Sequence, residues 1–180
     1  MSNILILYTT TEGQTGRISE RMAGMLRDKG HSVETQRAEH AAMRLEPGKF
    51  DAVIVGASIH YGHHPAFLRT LVRSHRDALH ARPSAFFSVS LSGGGPGAKP
   101  AAAKRYLEKF LRQTGWQPQL AASFAGALRF SRYGAFKRML MIVFVGLAGG
   151  DTDTSHDYEY TDWNAVAQFA DTFSTRIAPG

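Results

Sequence analysis

Near the amino terminus, Thr9-Thr10-Thr11-Glu12-Gly13-Gln14-Thr15 brings together the residue types that grip an anion. The stretch follows a short apolar run, Ile4 to Tyr8. It leads into a segment with apolar residues at Ile18, Met22, Met25 and Leu26, the spacing of a helix. A helix start offers unpaired N–H groups and the positive end of its dipole, so a phosphate binds there favourably. Hydroxyls of Thr10, Thr11 and Thr15 add donors, and Gly13 lets the backbone curl around the anion. A simple helix cap by Thr10 or Thr11, with no ligand, is the alternative. The crowding of hydroxyls around Gly13 favours phosphate. The loop matches neither G-x-x-x-x-G-K-S/T nor G-x-G-x-x-G, which sets aside a nucleoside-triphosphate loop and a dinucleotide fingerprint. Cysteine is absent. Disulfides, thiolate nucleophiles, iron–sulfur clusters and cysteine zinc sites are therefore excluded, and redox chemistry has to come from a bound cofactor.

A second cluster is His60, His63 and His64. Imidazoles bind zinc, but no carboxylate stands near them in sequence, so pocket lining or capping is expected instead of metal. His60 is also a candidate donor to a cofactor or a substrate carboxylate, and a proton shuttle is chemically open to it. Trp116 and Trp163 are expected in the core or docking a helix.

These groups need a scaffold, and the pattern alternates strand with helix. Strands are expected at Ile4–Tyr8, Ser32–Gln36, Phe50–Ala57, Ser84–Leu91 and Leu120–Leu128. Helices are expected at Gly13–Lys29, Pro65–Leu79, Pro100–Thr114 and Trp163–Ile177. Five strands separated by helices imply a doubly wound parallel α/β sheet, covered on both faces, in one domain spanning residues 1–180. Ligands of such sheets sit at the carboxyl ends of the strands, where strand order reverses. Gly93-Gly94-Gly95-Pro96-Gly97 reads as the most flexible segment, and Arg129 to Gly150 as an insertion after the fifth strand.

The net charge of +6 is concentrated. Between Gly97 and Gly150 stand nine Lys or Arg against Glu108 alone, whereas Asp151 to Asp162 holds five acids and no Lys or Arg. A basic face suits an anionic partner, with a merely solvated surface as the alternative. Basic residues do not interleave with aromatics, which disfavours nucleic acid. Within the insertion, Arg129, Arg132, Lys137 and Arg138 precede the apolar run Met139 to Ala148. Ten apolar residues are too few to span a bilayer, which needs about 20. They suit a segment lying in the headgroup region of an anionic membrane. A buried helix or a contact with another subunit is the alternative, which leaves a homo-oligomer open. The amino terminus lacks a basic lead and a cleavage site, so a cytoplasmic protein is expected.

Blocks along nearly the whole chain resemble one family. These are Gly13-Gln14-Thr15, Ile54 to His63 (I-V-G-A-S-I-H-Y-G-H), Pro83 to Val89, Ala125 to Arg129, Gly149 to Thr154 (G-G-D-T-D-T) and Tyr160 to Trp163. The loop alone resembles that of flavodoxins; the longer blocks are similar to the menaquinone-dependent protoporphyrinogen IX dehydrogenases of haem biosynthesis. The resemblance implies a flavodoxin-like three-layer sandwich with strand order 2-1-3-4-5. It implies FMN held by three loops. Thr10, Thr11, Glu12, Gly13, Gln14 and Thr15 would surround the phosphate. Ser58, Ile59, His60, Tyr61 and Gly62 would wall one side of the ring, with Tyr61 a candidate for stacking. Ser88, Val89, Ser90 and Leu91 would approach the other side. The implied activity is oxidation of protoporphyrinogen IX to protoporphyrin IX, with electrons passed to menaquinone or another membrane quinone. Arg129, Arg132, Lys137 and Arg138 would contact substrate propionates or membrane, placing the protein peripherally on the inner face of the cell membrane. A flavodoxin-type electron carrier and an FMN-dependent NAD(P)H:quinone reductase are the alternatives; the positive charge disfavours the first, and no second nucleotide site favours the other.

Overall fold

The computed structural model describes residues 1–40, 46–132, 139, 142, 145–147, 149 and 151–177. Its centre is β1 (Asn3–Thr9), in which Ile4, Leu5, Ile6 and Leu7 are all fully buried. Successive strand side chains point to opposite faces, so this continuous apolar run feeds two cores at once. Ile4 and Ile6 pack with Ile18, Met22 and Leu26 of α1 (Gln14–Asp28) and with Phe169 and Phe173 of the carboxyl-terminal helix. Leu5 and Leu7 pack on the other face with Leu68, Phe110 and Trp116. Burying each such side chain contributes about 1.5–3 kcal/mol.

Around β1 run β2 (Ser32–Arg37), β3 (Ala52–Ser58), β4 (Ser84–Ser90) and β5 (Leu120–Ala125), all parallel, in the order β2-β1-β3-β4-β5. The chain therefore leaves β1 toward one edge and returns to β3 on its other side. That reversal opens a crevice above the carboxyl ends of β1 and β3. Gly56 faces its register partner Phe87 across β3 and β4, and a Cβ there would stand 2.2 Å from the Phe87 ring. Only glycine lets that ring lie flat over the sheet.

Two expected elements divide. The helix expected over Pro65–Leu79 is split at His75 into α2 (Ala66–Ser74) and α3 (Arg76–His80). Ser74 Oγ and His75 Nδ1 each lie 2.9 Å from the Leu71 carbonyl, side-chain bonds that compete with the helical ladder. The fifth strand breaks at Gly126. Its N–H donates to Ser90 O (3.0 Å) while its carbonyl accepts from Tyr160 N–H (3.1 Å). Beyond the break, β6 (Ala127–Leu128) pairs antiparallel with β7 (Tyr158–Glu159). α4 (Pro100–Thr114) and α5 (Trp163–Ile177) complete the two helical layers.

The glycine run is not a loose tether, as had been expected from composition. A Cβ on Gly93 would lie 2.8 Å from Phe124 O, one on Gly94 2.7 Å from Ala125 Cβ, and one on Gly95 2.8 Å from the Tyr160 ring. Gly93 packs on the backbone of Phe124 and Ala125, and Gly94 and Gly95 on the side chains of Ala125 and Tyr160, which leaves no room for a Cβ. The Tyr160 hydroxyl donates to Asp151 (2.5 Å), and its ring stacks on Tyr158.

In the insertion, positions 139, 142 and 145–147 are helical. Ile142 and Val145 pack with Leu128, Phe130, Leu91 and Tyr158, whereas Met139 and Leu147 are exposed at 59% and 82%. Among the described positions of the run, 142 and 145 thus face inward and 139 and 147 outward. Lys137 and Arg138, and the side chain of Arg132, lie outside the described residues. Among the described residues no helix is long and apolar enough to cross a membrane.

Candidate functional site

The loop after β1 turns on Gly13, which adopts φ 91°, a left-handed conformation that favours glycine. Thr10 Oγ1 accepts the Gly13 N–H at 2.9 Å and tightens the turn. No side chain caps α1, and its first turn holds no acid. The dipole and first amides of the helix are therefore directed at the crevice. Thr15 Oγ1 is buried there without a hydrogen-bond partner, and so is Ser58 Oγ at the end of β3. An unsatisfied buried hydroxyl costs about 1–3 kcal/mol, so two around one crevice point to a polar ligand.

Both residues line a cavity of about 510 Å3, within the roughly 300–1,000 Å3 range of cofactor sites. Thr10, Thr11, Glu12 and Gln14 form its end nearest the start of α1, with Thr15. Ile59, His60, Tyr61 and Gly62 continue the wall begun by Ser58, and Val89, Ser90 and Leu91 form the facing side. The second wall is a tight two-residue hairpin. His60 and His63 exchange backbone hydrogen bonds (2.9 and 3.1 Å), with Tyr61 at φ 48° and Gly62 at φ 76° between them. Two consecutive left-handed residues define the turn that matches strand twist, and it holds Tyr61 out at the mouth, 70% exposed. The Tyr61 ring rests 4.1 Å from that of His60.

Gly13 shapes the loop but does not line the cavity, and Ser88 faces the core. Ser88 Oγ is 2.9 Å from His64 Nε2. Burial, with Arg69 adding to it, lowers His64 to a pKa of about 3 and keeps it neutral. His64 also packs edge-on against Phe86 and Phe110, so it is a core residue. No group of three metal-ligating side chains stands together among the described residues. Trp116 is buried, its Nε1 donating to Ser84 Oγ at 3.2 Å, and Trp163 donates to Glu159 at 2.9 Å.

Arg129, expected to contact substrate or membrane, lies beside the start of α1. Its Nη2 donates to Gln14 Oε1 (2.9 Å), and its guanidinium lies 3.5 Å from Glu159 and 3.8 Å from Asp157. Gln14 Nε2 in turn donates to Thr161 Oγ1 (2.8 Å), which donates to Ala125 O (2.8 Å). Arg17 joins the network through Gln14 and Glu159. Burial opposes the Glu159 charge, yet Arg17 and hydrogen bonds from Trp163 and Gln14 hold it below the usual carboxylate range. The start of α1 is thereby tied to the segment after β5.

Ser92, Tyr106, Gly126 and Ala127 also line the cavity and were not singled out in the sequence. Gly126 carried a readable signal, since an isolated glycine within a strand pattern marks a break or a close approach. Tyr106 had none: its spacing in α4 is that of an ordinary buried stripe.

A flavodoxin domain model matches residues 5–155. Protoporphyrinogen IX dehydrogenase (quinone) of Escherichia coli strain K12 is 36% identical over 166 residues, covering 92% of this chain and 91% of that protein. The protein of the same name from Leishmania major is 38% identical over 176 residues, covering 94% of this chain and 74% of that one. Oxidised flavodoxin 1 from Bacillus cereus shares the fold, with a TM-score of 0.54 at 15% identity over 98% of this chain and all of that one (100%).

Proposed function

The chain belongs to the flavodoxin-domain family of protoporphyrinogen IX dehydrogenases, and from that premise we propose that it oxidises protoporphyrinogen IX with FMN and passes the electrons to a quinone. The observation that carries this reading is the pair of unpartnered buried hydroxyls, Thr15 Oγ1 and Ser58 Oγ, in one crevice at the strand reversal. Both suit a flavin nucleotide, one at its phosphate and one at its polar ring edge.

When bound, FMN supplies the two-electron acceptor for the porphyrinogen and the donor for the quinone. Thr10, Thr11 and Thr15 hold the phosphate through hydroxyls, together with amides of the first turn of α1. Gln14 is a positioning residue, fixed by Arg129 and Thr161 so that the turn keeps its shape. Ser58 to Gly62 form one wall of the ring site, with Tyr61 laid over it. Val89 to Leu91 offer backbone groups at the other edge. Repeated rounds of oxidation require the substrate to return to the same face, which the fixed hairpin at Tyr61 and Gly62 presents each time.

The acceptor in this reading is menaquinone or another membrane quinone, reached by peripheral binding to an anionic membrane. The exposed Met139 and Leu147 beside the basic stretch containing Arg132, Lys137 and Arg138 support it. The decisive experiment supplies FMN-loaded protein with protoporphyrinogen IX and a soluble quinone, and follows porphyrin fluorescence. Porphyrin formed in step with quinone reduction is the expected result. Quinone reduction with NAD(P)H alone would overturn it in favour of a quinone reductase.

A further inference from the structure

Beside the main cavity lies a second, smaller one of about 160 Å3, and the two share Gly62 and Tyr106 as a common wall. Its sides carry His63 from the hairpin, Arg69 from α2 and Lys109 from α4. Tyr106 and Lys109 stand three residues apart in α4 and so share a helix face. Arg69 is held in place, its Nη1 donating to the His64 carbonyl at 2.5 Å. Neither Arg69 nor Lys109 has a carboxylate within ion-pair distance among the described residues. α2 contains no acid, and Glu108 of α4 is turned to Lys104. Phe110 and the His64 ring, packed edge to face, complete the lining together with Gln113.

We propose that this pocket receives a propionate arm of the tetrapyrrole, with Arg69 and Lys109 as its counter-charges, and that it thereby sets which edge of the substrate faces the larger cavity. The inference rests on the function proposed above and assigns the substrate's orientation within it. Two cations without a carboxylate partner, converging on one small pocket, make a carboxylate site through charge-assisted hydrogen bonds. The volume admits a side arm and excludes a macrocycle. The pocket opens beside the Tyr61–Gly62 turn and not beside the Thr10–Thr15 loop, so it does not compete with the cofactor phosphate. Arg129 and Arg17, cations at the other end of the site, are already engaged with Gln14 and Glu159.

The test compares protoporphyrinogen IX with its dimethyl ester on FMN-loaded wild type, Arg69→Gln and Lys109→Gln, using a soluble quinone. Each variant is expected to raise KM for the free acid roughly tenfold, with kcat held within about twofold. The ester raises the wild-type KM similarly, and combining ester with variant adds little. Arg21→Gln, an exposed cation on α1, leaves both constants unchanged. Fluorescence titration of protoporphyrin IX and its dimethyl ester onto the same proteins gives a readout independent of turnover. A wild type that prefers the acid, with the preference lost in the variants, supports the pocket. Equal binding of acid and ester by wild type, or additive effects of ester and variant, overturns it. Absence of porphyrin production by wild type refutes the proposed activity alone, and the titration then still decides the pocket. FMN affinity reports folding, and Lys109→Gln carries the test should Arg69→Gln lose the flavin.

Discussion

Replacing Thr15 by Val separates a cofactor ligand from a structural residue, because the two roles predict opposite signs. Thr15 Oγ1 is buried and unpartnered in the flavin-free fold. Removing such a hydroxyl while keeping its β-branched shape relieves a penalty of about 1–3 kcal/mol. Helix propensities of Thr and Val are similar, and the Thr15 carbonyl that accepts from Ser19 is untouched. The flavin-free variant is therefore expected to gain about 1–2 kcal/mol. For a chain of this size that raises Tm by roughly 2–8 °C. Flavin binding moves the other way. A hydroxyl bonded to phosphate contributes about 1.5–3 kcal/mol, so Kd for FMN should weaken roughly 10- to 150-fold. Thermal unfolding followed by circular dichroism gives the first quantity, and quenching of flavin fluorescence the second. Thr15→Ser, which keeps the hydroxyl, should retain most of the affinity. A Thr15→Val protein that is less stable without flavin and unchanged in FMN affinity would refute the reasoning.

Two further expectations concern stability. His64 has its folded pKa depressed to about 3 from 6.5, so the unfolded chain binds the extra proton and His64 stabilises the fold fully only above pH 6.5. Between pH 7 and pH 5 its contribution should fall by about 2 kcal/mol, read from urea midpoints; His64→Gln should lose that slope whatever its baseline. Arg129→Met strips Gln14, Asp157 and Glu159 of a shared partner and should cost about 1–3 kcal/mol while weakening FMN binding. Unchanged flavin affinity in that variant would deny that the network positions the loop.

Much of the scaffold is legible from local pattern. β1 reads as a strand because Ile4 to Leu7 are apolar without interruption, as burial on two faces demands. The phosphate loop reads from its hydroxyls and Gly13, and α5 from its apolar spacing. What escapes such reading depends on contacts distant in sequence. Arg129 was expected only as a substrate or membrane contact, because Gln14, Asp157 and Glu159 meet it only in the folded chain. The glycines at 93–95 looked flexible because composition does not show Ala125 and Tyr160 pressing on them. Ser88 was expected at the site through the family resemblance, and its contact with His64 is made only in the folded chain. Tyr106 meets Gly62 only through the packing of α4 beside the hairpin.

The short antiparallel ladder of Ala127 with Glu159 and Leu128 with Tyr158 clasps the two stems of a long excursion. Since departure and return are pinned side by side, the intervening chain can lengthen, shorten or be recomposed at small entropic expense, about 0.6 kcal/mol per doubling. The clasp fixes both stems beside the crevice, while Ile142 and Val145 of the excursion pack against Leu91 of its wall. That one segment can thus change in length while its two ends keep their places at the sheet.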